Sequence, residues 1–198
     1  EYKSGGVGFK REYISSLSGN VIMVHLTADR KGMITCNANM TSPQQDVTIA
    51  SEGKEIVLSG ISGWHEGQKG KVQFTGRATA TTIGGTVVSK DGVLQIKGAD
   101  EATIYLTIAT NFKKYNDISG NDTLISRNTL HEAVKSPFAQ LKQKHYDLYR
   151  SQFGRVCLDL GKDLYADRTT DWRVEHFKEH NDEHLVETYF QFGRYLLI

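Results

Sequence analysis

The chain has 198 residues, 38% hydrophobic and 24% charged, enough for one sizeable domain or two small ones. Its 24 Lys+Arg against 23 Asp+Glu leave a net charge of +1 with no basic block, which argues against a nucleic-acid partner. No apolar run approaches the ~20 residues of a membrane helix, and no charged-then-apolar leader opens the chain, so neither a membrane span nor an intact signal peptide is read.

Residues 1 to about 110 read as β structure, with apolar alternation, β-branched residues and frequent Gly, Asn and Asp. Gly5-Gly6-Val7-Gly8 is a flexible approach to a strand and not a phosphate loop, because no Lys-Ser/Thr follows. In Asn20 to Asp29, Ile22, Val24, Leu26 and Ala28 take one face and Val21 and Met23 the other, a strand covered on both sides. Ile34, Cys36, Ala38 and Met40 repeat the alternation, Ile56-Val57-Leu58 is a strand core, and Val72-Gln73-Phe74-Thr75 opens a longer strand. Gly84-Gly85 and Lys90-Asp91-Gly92 are tight-turn chemistry. From Glu101 to Ala109 the pattern predicts a buried face of Ala102, Ile104, Leu106 and Ile108 and a semi-polar face of Thr103, Tyr105 and Thr107. The two cysteines, Cys36 and Cys157, are too few and too distant for a disulfide framework or metal cluster, and each is expected as a small buried hydrophobe.

The period then changes. The polar stretch Tyr115 to Asn128 separates β from helical patterning, and Thr129-Leu130-His131-Glu132 matches a capping box. Ser136-Pro137 starts a second helix with Phe138, Leu141, His145, Leu148 and Gln152 on one stripe, ending near Gly154. Arg155 to Leu160 alternates briefly, a helix starts near Thr170, and Asn181-Asp182 restarts the last one through Leu185, Tyr189 and Phe192. The final run, Tyr189 to Ile198, is apolar and aromatic with no stop signal, so a continuation into a larger core is expected. Strands followed by helices predict a mainly β fold: an incomplete antiparallel β sandwich over residues 1–127, then an α-helical linker over residues 128–198.

Four stretches resemble glycoside hydrolase family 95, the α-L-fucosidases. They are Phe9-Lys10-Arg11-Glu12-Tyr13-Ile14-Ser15-Ser16 with Asn20 to Asp29; Gly98-Ala99-Asp100-Glu101-Ala102 with Thr110-Asn111-Phe112; His145-Tyr146-Asp147-Leu148-Tyr149 through Phe153-Gly154-Arg155-Val156 and Leu158-Asp159-Leu160-Gly161 to Thr170-Asp171-Trp172-Arg173; and Tyr189 to Ile198. Asp182-Glu183 stands where the family tends to have Asp-Pro. The resemblance implies an N-terminal β domain whose early strands lie upstream, a helical linker, and the first helix of an absent (α/α)6 catalytic barrel. It further implies hydrolysis of α-L-fucosyl, or the related α-L-galactosyl, linkages with inversion, by an acid and a base that stand apart to admit water. The barrel motifs do not occur in residues 1–198, so no catalytic residue, metal ligand or cofactor is assigned, and the chain alone is expected to be inactive. Implied partners are the barrel of the same polypeptide and, through the intact enzyme, a fucosylated glycan. Self-association through exposed sheet edges and a periplasmic or secreted location are also expected.

Three constellations compete with this reading. Trp64-His65-Glu66, between Gly63 and Gly67, offers an aromatic and polar groups for a sugar, as a stand-alone carbohydrate-binding or protein-interaction module would need. The structural alternative is a loop Trp folded back over a sheet. His176-Phe177-Lys178-Glu179-His180 matches H-x-x-E-H, with His184 extending the row, but a zinc site needs a further ligand and the residues read as a solvated face. His145 reads as a core histidine bonded to another segment. Asn39-Met40-Thr41 and Asn121-Asp122-Thr123 are glycosylation sequons only in a eukaryotic secretory cell.

Overall fold

The computed structural model describes residues 1–44 and 46–198. Seven strands form one antiparallel sheet: β1 (Tyr2–Ser4), β2 (Val7–Ser16), β3 (Val21–Ala28), β5 (Val47–Glu52), β6 (Glu55–Ile61), β7 (Gln73–Ile83) and β10 (Glu101–Thr110), ordered β1-β2-β3-β10-β7-β6-β5. A second sheet holds β4 (Ile34–Asn39), β9 (Val93–Ala99) and β8 (Thr86–Lys90), in that order. Five helices follow: α1 (Asp122–Ala133), α2 (Phe138–Phe153), α3 (Thr170–Glu175), α4 (Phe177–His180) and α5 (Glu183–Leu197). The fold is mainly β with antiparallel sheets, as the alternation and the strands-then-helices order require.

The small sheet covers one face of the large one. Ile34, Cys36, Leu94, Ile96 and Ala99 pack with Ala78, Ala80, Ala102, Ile104 and Leu106. The opposite face is covered by helices: Ile14, Val21, Met23 and Tyr105 close a core with Leu130 and Ala133 of α1 and Leu141 of α2. β3 packs on both sides, with Val21 and Met23 buried toward the helices and Leu26 and Ala28 half-buried against the small sheet, whereas Ile22 is 41% exposed. On β10 Ala102, Ile104 and Leu106 take the core-facing side as expected, but Ile108 is 63% exposed, and Thr103, Tyr105 and Thr107 on the other face are buried as well. The hydroxyls tolerate burial because they are bonded: Thr107 donates to the Ser126 carbonyl at 3.0 Å, and Thr103 Oγ1 pairs with His25 Nδ1 at 2.9 Å.

Turn chemistry fixes the connections. At the β7–β8 turn, Gly84 and Gly85 have φ of 68° and 61°, and a Cβ on Gly85 would lie 2.4 Å from the Lys97 carbonyl oxygen. Gly5-Gly6 is more than an approach: with φ of 57° and 74° it is the tight turn of the β1–β2 hairpin. α1 starts seven residues before the expected capping box. Asn121 Oδ1 accepts from Leu124 N at 2.9 Å and Asp122 supplies the first-turn acid, so Thr129 and Glu132 lie inside the helix. Residues 127 and 128 both belong to α1. α2 begins just after Pro137 and ends just before Gly154, and Asp182 caps α5 by accepting from Leu185 N at 2.9 Å, as the stop and start residues predict. Arg155 to Leu160 forms no strand. Of the cysteines, Cys36 is half-buried, which raises its thiol pKa, but Cys157 is exposed, because the segment carrying it packs into no core.

Contacts divide the chain into two compact units, Glu1–His145 and Tyr146–Ile198. The first contains both sheets and the apolar cores. In the second, Asp182 is the one buried residue among those described.

Candidate functional site

The loop joining β6 to β7 carries the proposed sugar contact. Its base is closed by Ser62 N to the Val72 carbonyl at 2.9 Å and by Gly63 N to Gln44 Oε1 at 2.6 Å. His65 and Gln68 exchange N–H···O bonds of 3.0 and 2.9 Å around Glu66 and Gly67, whose φ values are 47° and 77°. Trp64 is 68% exposed, so it is not folded back over a sheet face. The His65 and Glu66 side chains are also exposed, 4.0 Å apart. An open indole can stack on the apolar face of a sugar ring, and an exposed imidazole and carboxylate can bond its hydroxyls.

A second polar constellation lies under α1 and was not singled out from the sequence. Arg77, on the helix-covered face of β7, is 1% exposed, and its Nη1 donates to Glu52 Oε2 and Glu55 Oε2, both at 2.9 Å. His131 Nε2 meets Glu55 Oε1 at 2.7 Å, and Arg127 approaches Glu52 at 3.6 Å. Beside it Thr75 donates to Asp122 Oδ2 at 2.5 Å. These carboxylates are committed to cations or hydroxyls, so the cluster ties β5, β6 and β7 to α1. The available signal was an arginine at an inward position of a Thr/Ala-rich strand, where an unpaired charge would be prohibitive.

Within the second unit, the histidine motif falls on a helix break. His176 lies between α3 and α4, and Asn181 adopts φ 46°. His176 Nδ1 donates to the Trp172 carbonyl at 2.9 Å, while the His176 and His180 rings stack on the Trp172 ring at 4.4 and 5.4 Å. His184 turns instead to Asp163, at 3.0 Å. Among the described residues, no group of three His, Cys, Asp or Glu side chains is placed to hold a metal ion. What the sequence did not reveal is a clasp: Arg173 grips Asp182 with two bonds of 2.6 and 2.8 Å and reaches Asp163 at 3.1 Å. This fork holds the Asp182 carboxyl below its usual range. In the first unit, His145 Nδ1 accepts from Leu17 N at 3.4 Å, in keeping with a histidine bonded to another segment.

Residues 1–115, more than half of the chain, match the model of the glycosyl hydrolase family 65 N-terminal domain. The chain belongs to this family. Residues 137–198 of this glycosyl hydrolase chain match the glycosyl hydrolase family 95 catalytic domain, so the resemblance carried by the four stretches holds. Alpha-L-fucosidase 2 of Arabidopsis thaliana is 25% identical over 227 aligned residues, covering 100% of this chain and 27% of the relative. The chain thus spans about a quarter of that relative's length. A solved structure described as a putative kojibiose phosphorylase from human microbiome superposes with a TM-score of 0.45 at 15% identity, over 74% of this chain and 21% of that one.

Proposed function

We propose that this glycosyl hydrolase chain is the non-catalytic N-terminal and linker part of an enzyme that removes α-L-fucosyl residues from glycans with inversion. The observation that carries the reading is the order of the two matches: an N-terminal-domain model over 1–115, then the family 95 catalytic model over 137–198. The alignment of Alpha-L-fucosidase 2 along the whole chain supports the substrate class. α5 carries exposed Tyr189, Phe192, Tyr195, Leu196 and Leu197, an apolar surface suited to packing in the barrel of the same polypeptide. The fucosylated glycan is then met by the intact enzyme, in the periplasm or outside the cell, and the acid and base that stand apart across the sugar belong to the barrel.

The test is hydrolysis of a chromogenic α-L-fucoside by this chain beside a longer polypeptide carrying the complete catalytic domain. Activity in the longer protein alone is expected. Activity in the 198-residue chain would overturn the placement of the chemistry, and inactivity in both would overturn the substrate.

A second reading, a stand-alone carbohydrate-binding or protein-interaction module, is favoured by one observation, the open Trp64 at a hairpin tip. It requires fucosylated oligosaccharide to bind the isolated chain and Trp64→Ala to abolish that binding.

A further inference from the structure

On the helix-covered face of the large sheet, His25 of β3 lies opposite Thr103 of β10 and Glu12 of β2. Its side chain is 14% exposed, and its ring stacks on that of Phe138, the first residue of α2, with centroids 4.2 Å apart and planes inclined by 10°. Nδ1 lies 2.9 Å from Oγ1 of the buried Thr103, so one side of the imidazole is bonded in the interior. Nε2 stands 3.8 Å from Glu101 Oε2, beyond hydrogen-bond reach. A groove of about 330 Å³, lined by His25, Phe138, Glu101, Thr81 and Thr82 among others, opens beside the ring.

The charges around the imidazole decide which protonation state the contact accepts. Glu12 is answered by Lys142 of α2 at 2.5 Å and by Lys10 at 3.4 Å. Glu101, with a side chain 46% exposed, faces water as well as the ring, and β7 presents Thr81 and Thr82 to the groove. Burial is the larger effect and holds the His25 pKa below its ordinary value, with Glu101 and Glu12 opposing the shift and Lys142 and Lys10 adding to it. In either tautomer a neutral imidazole meets Thr103 with one nitrogen and stacks on Phe138 with no charge to desolvate. An imidazolium carries a second N–H, whose acid partner, Glu101, is reached only if the ring moves. We infer that the His25–Phe138 stack is an acid-sensitive latch: the neutral ring holds the first turn of α2 against the sheet, and the protonated ring turns through the groove toward Glu101 and lets that turn go. Leu141 in the core and Lys142 on Glu12 keep the next turn in place. The stabilisation is complete above the ordinary histidine value and diminishes as pH falls from there to the lowered one.

Nuclear magnetic resonance on the 198-residue chain tests the latch. The His25 ring signal, identified by its contact with the Phe138 ring, is followed from about pH 7.5 to about pH 5, a range that spans the ordinary histidine value. Recorded with it are the Phe138 ring signals and the amide exchange of Gln140 and Leu141, both bonded to the Pro137 carbonyl. The Phe138 signals are expected to move with the midpoint of His25. Exchange at Gln140 and Leu141, corrected for its intrinsic pH dependence, should quicken severalfold while β10 stays protected. His25→Gln can still bond Thr103 but cannot take up charge, and should abolish the acid response. Glu101→Gln removes the carboxylate that receives the protonated ring, and should move the midpoint to lower pH. Phe138 signals that stay fixed while His25 titrates overturn the latch, a result read on the parent chain even where His25→Gln fails to fold. An acid response that survives in His25→Gln overturns it too, because the proton is then taken up at another group, such as His131 or His145.

Discussion

Arg77 shows how much a single buried charge can determine. It is enclosed between β7 and α1 with two carboxylates on its Nη1. Arg77→Met keeps much of the volume but leaves Glu55, whose side chain is 14% exposed, facing an apolar group. A loss of about 3–5 kcal/mol in unfolding free energy is expected by denaturant titration, because removing one partner strands the other. A change below 1 kcal/mol would show that Glu55 reaches water or His131 without cost. Asp182 sets a pH dependence of definite sign. Arg173 depresses its folded-state pKa, so its stabilisation is complete above the ordinary carboxylate range and is lost as pH falls through the lowered value. Asp182→Asn keeps an N-cap residue but removes the charge, and should give lower helix content at neutral pH with a flatter acid profile by circular dichroism. A profile unchanged from the parent would assign the acid sensitivity to other carboxylates. Neither role was legible beforehand, since pairs such as Arg173–Asp182 and Arg77–Glu52 are set by tertiary placement and no local spacing announces them.

At the scale of elements, most of what was readable followed from period and punctuation. The two-fold alternation of β3, the Gly84-Gly85 and Asp91-Gly92 turns, Pro137 before α2 and Asp182 before α5 each speak through a local rule. The burial of the second face of β10 was missed because alternation ranks residues by polarity and is blind to what covers them, and here the Thr107 hydroxyl bonds to Ser126 of α1 while Tyr105 joins the core with Leu130. The start of α1 was misplaced because only the capping-box pattern at Thr129 was read, whereas Asn121, eight residues earlier, forms the cap. α2 is anchored to the large sheet through Leu141, 6% exposed in the core it shares with Met23 and Tyr105. Leu141→Ala should therefore cost about 2–5 kcal/mol. It should also release the α2 N-terminal amides to faster exchange, with those of β7 little changed. A loss spread evenly over both would mean that α2 and the sheet open as one body.

Across the whole molecule the two units differ in what holds them. Glu1–His145 has layered apolar cores, whereas Tyr146–Ile198 relies on the Arg173 clasp and ring stacking, with Tyr189 78% and Leu197 89% exposed. A unit whose described residues include no fully buried apolar side chain has little driving force of its own. In a Trp64→Phe background, Trp172 fluorescence should report a transition at lower denaturant than the loss of sheet signal. Coincident transitions would instead make the chain a single cooperative body.

The place of β10 bears on how the chain is made. It is the last strand in sequence, yet it sits between β3 and β7, pairing Ile104 with both Val24 and Ala80. Until it emerges from the ribosome, the nascent chain carries two unmatched inner edges, one of them formed about eighty residues earlier. At ordinary elongation rates that interval is on the order of ten seconds. The hazard that belongs to the large sheet is thus concentrated before residue 110 and ends when a single strand slots home.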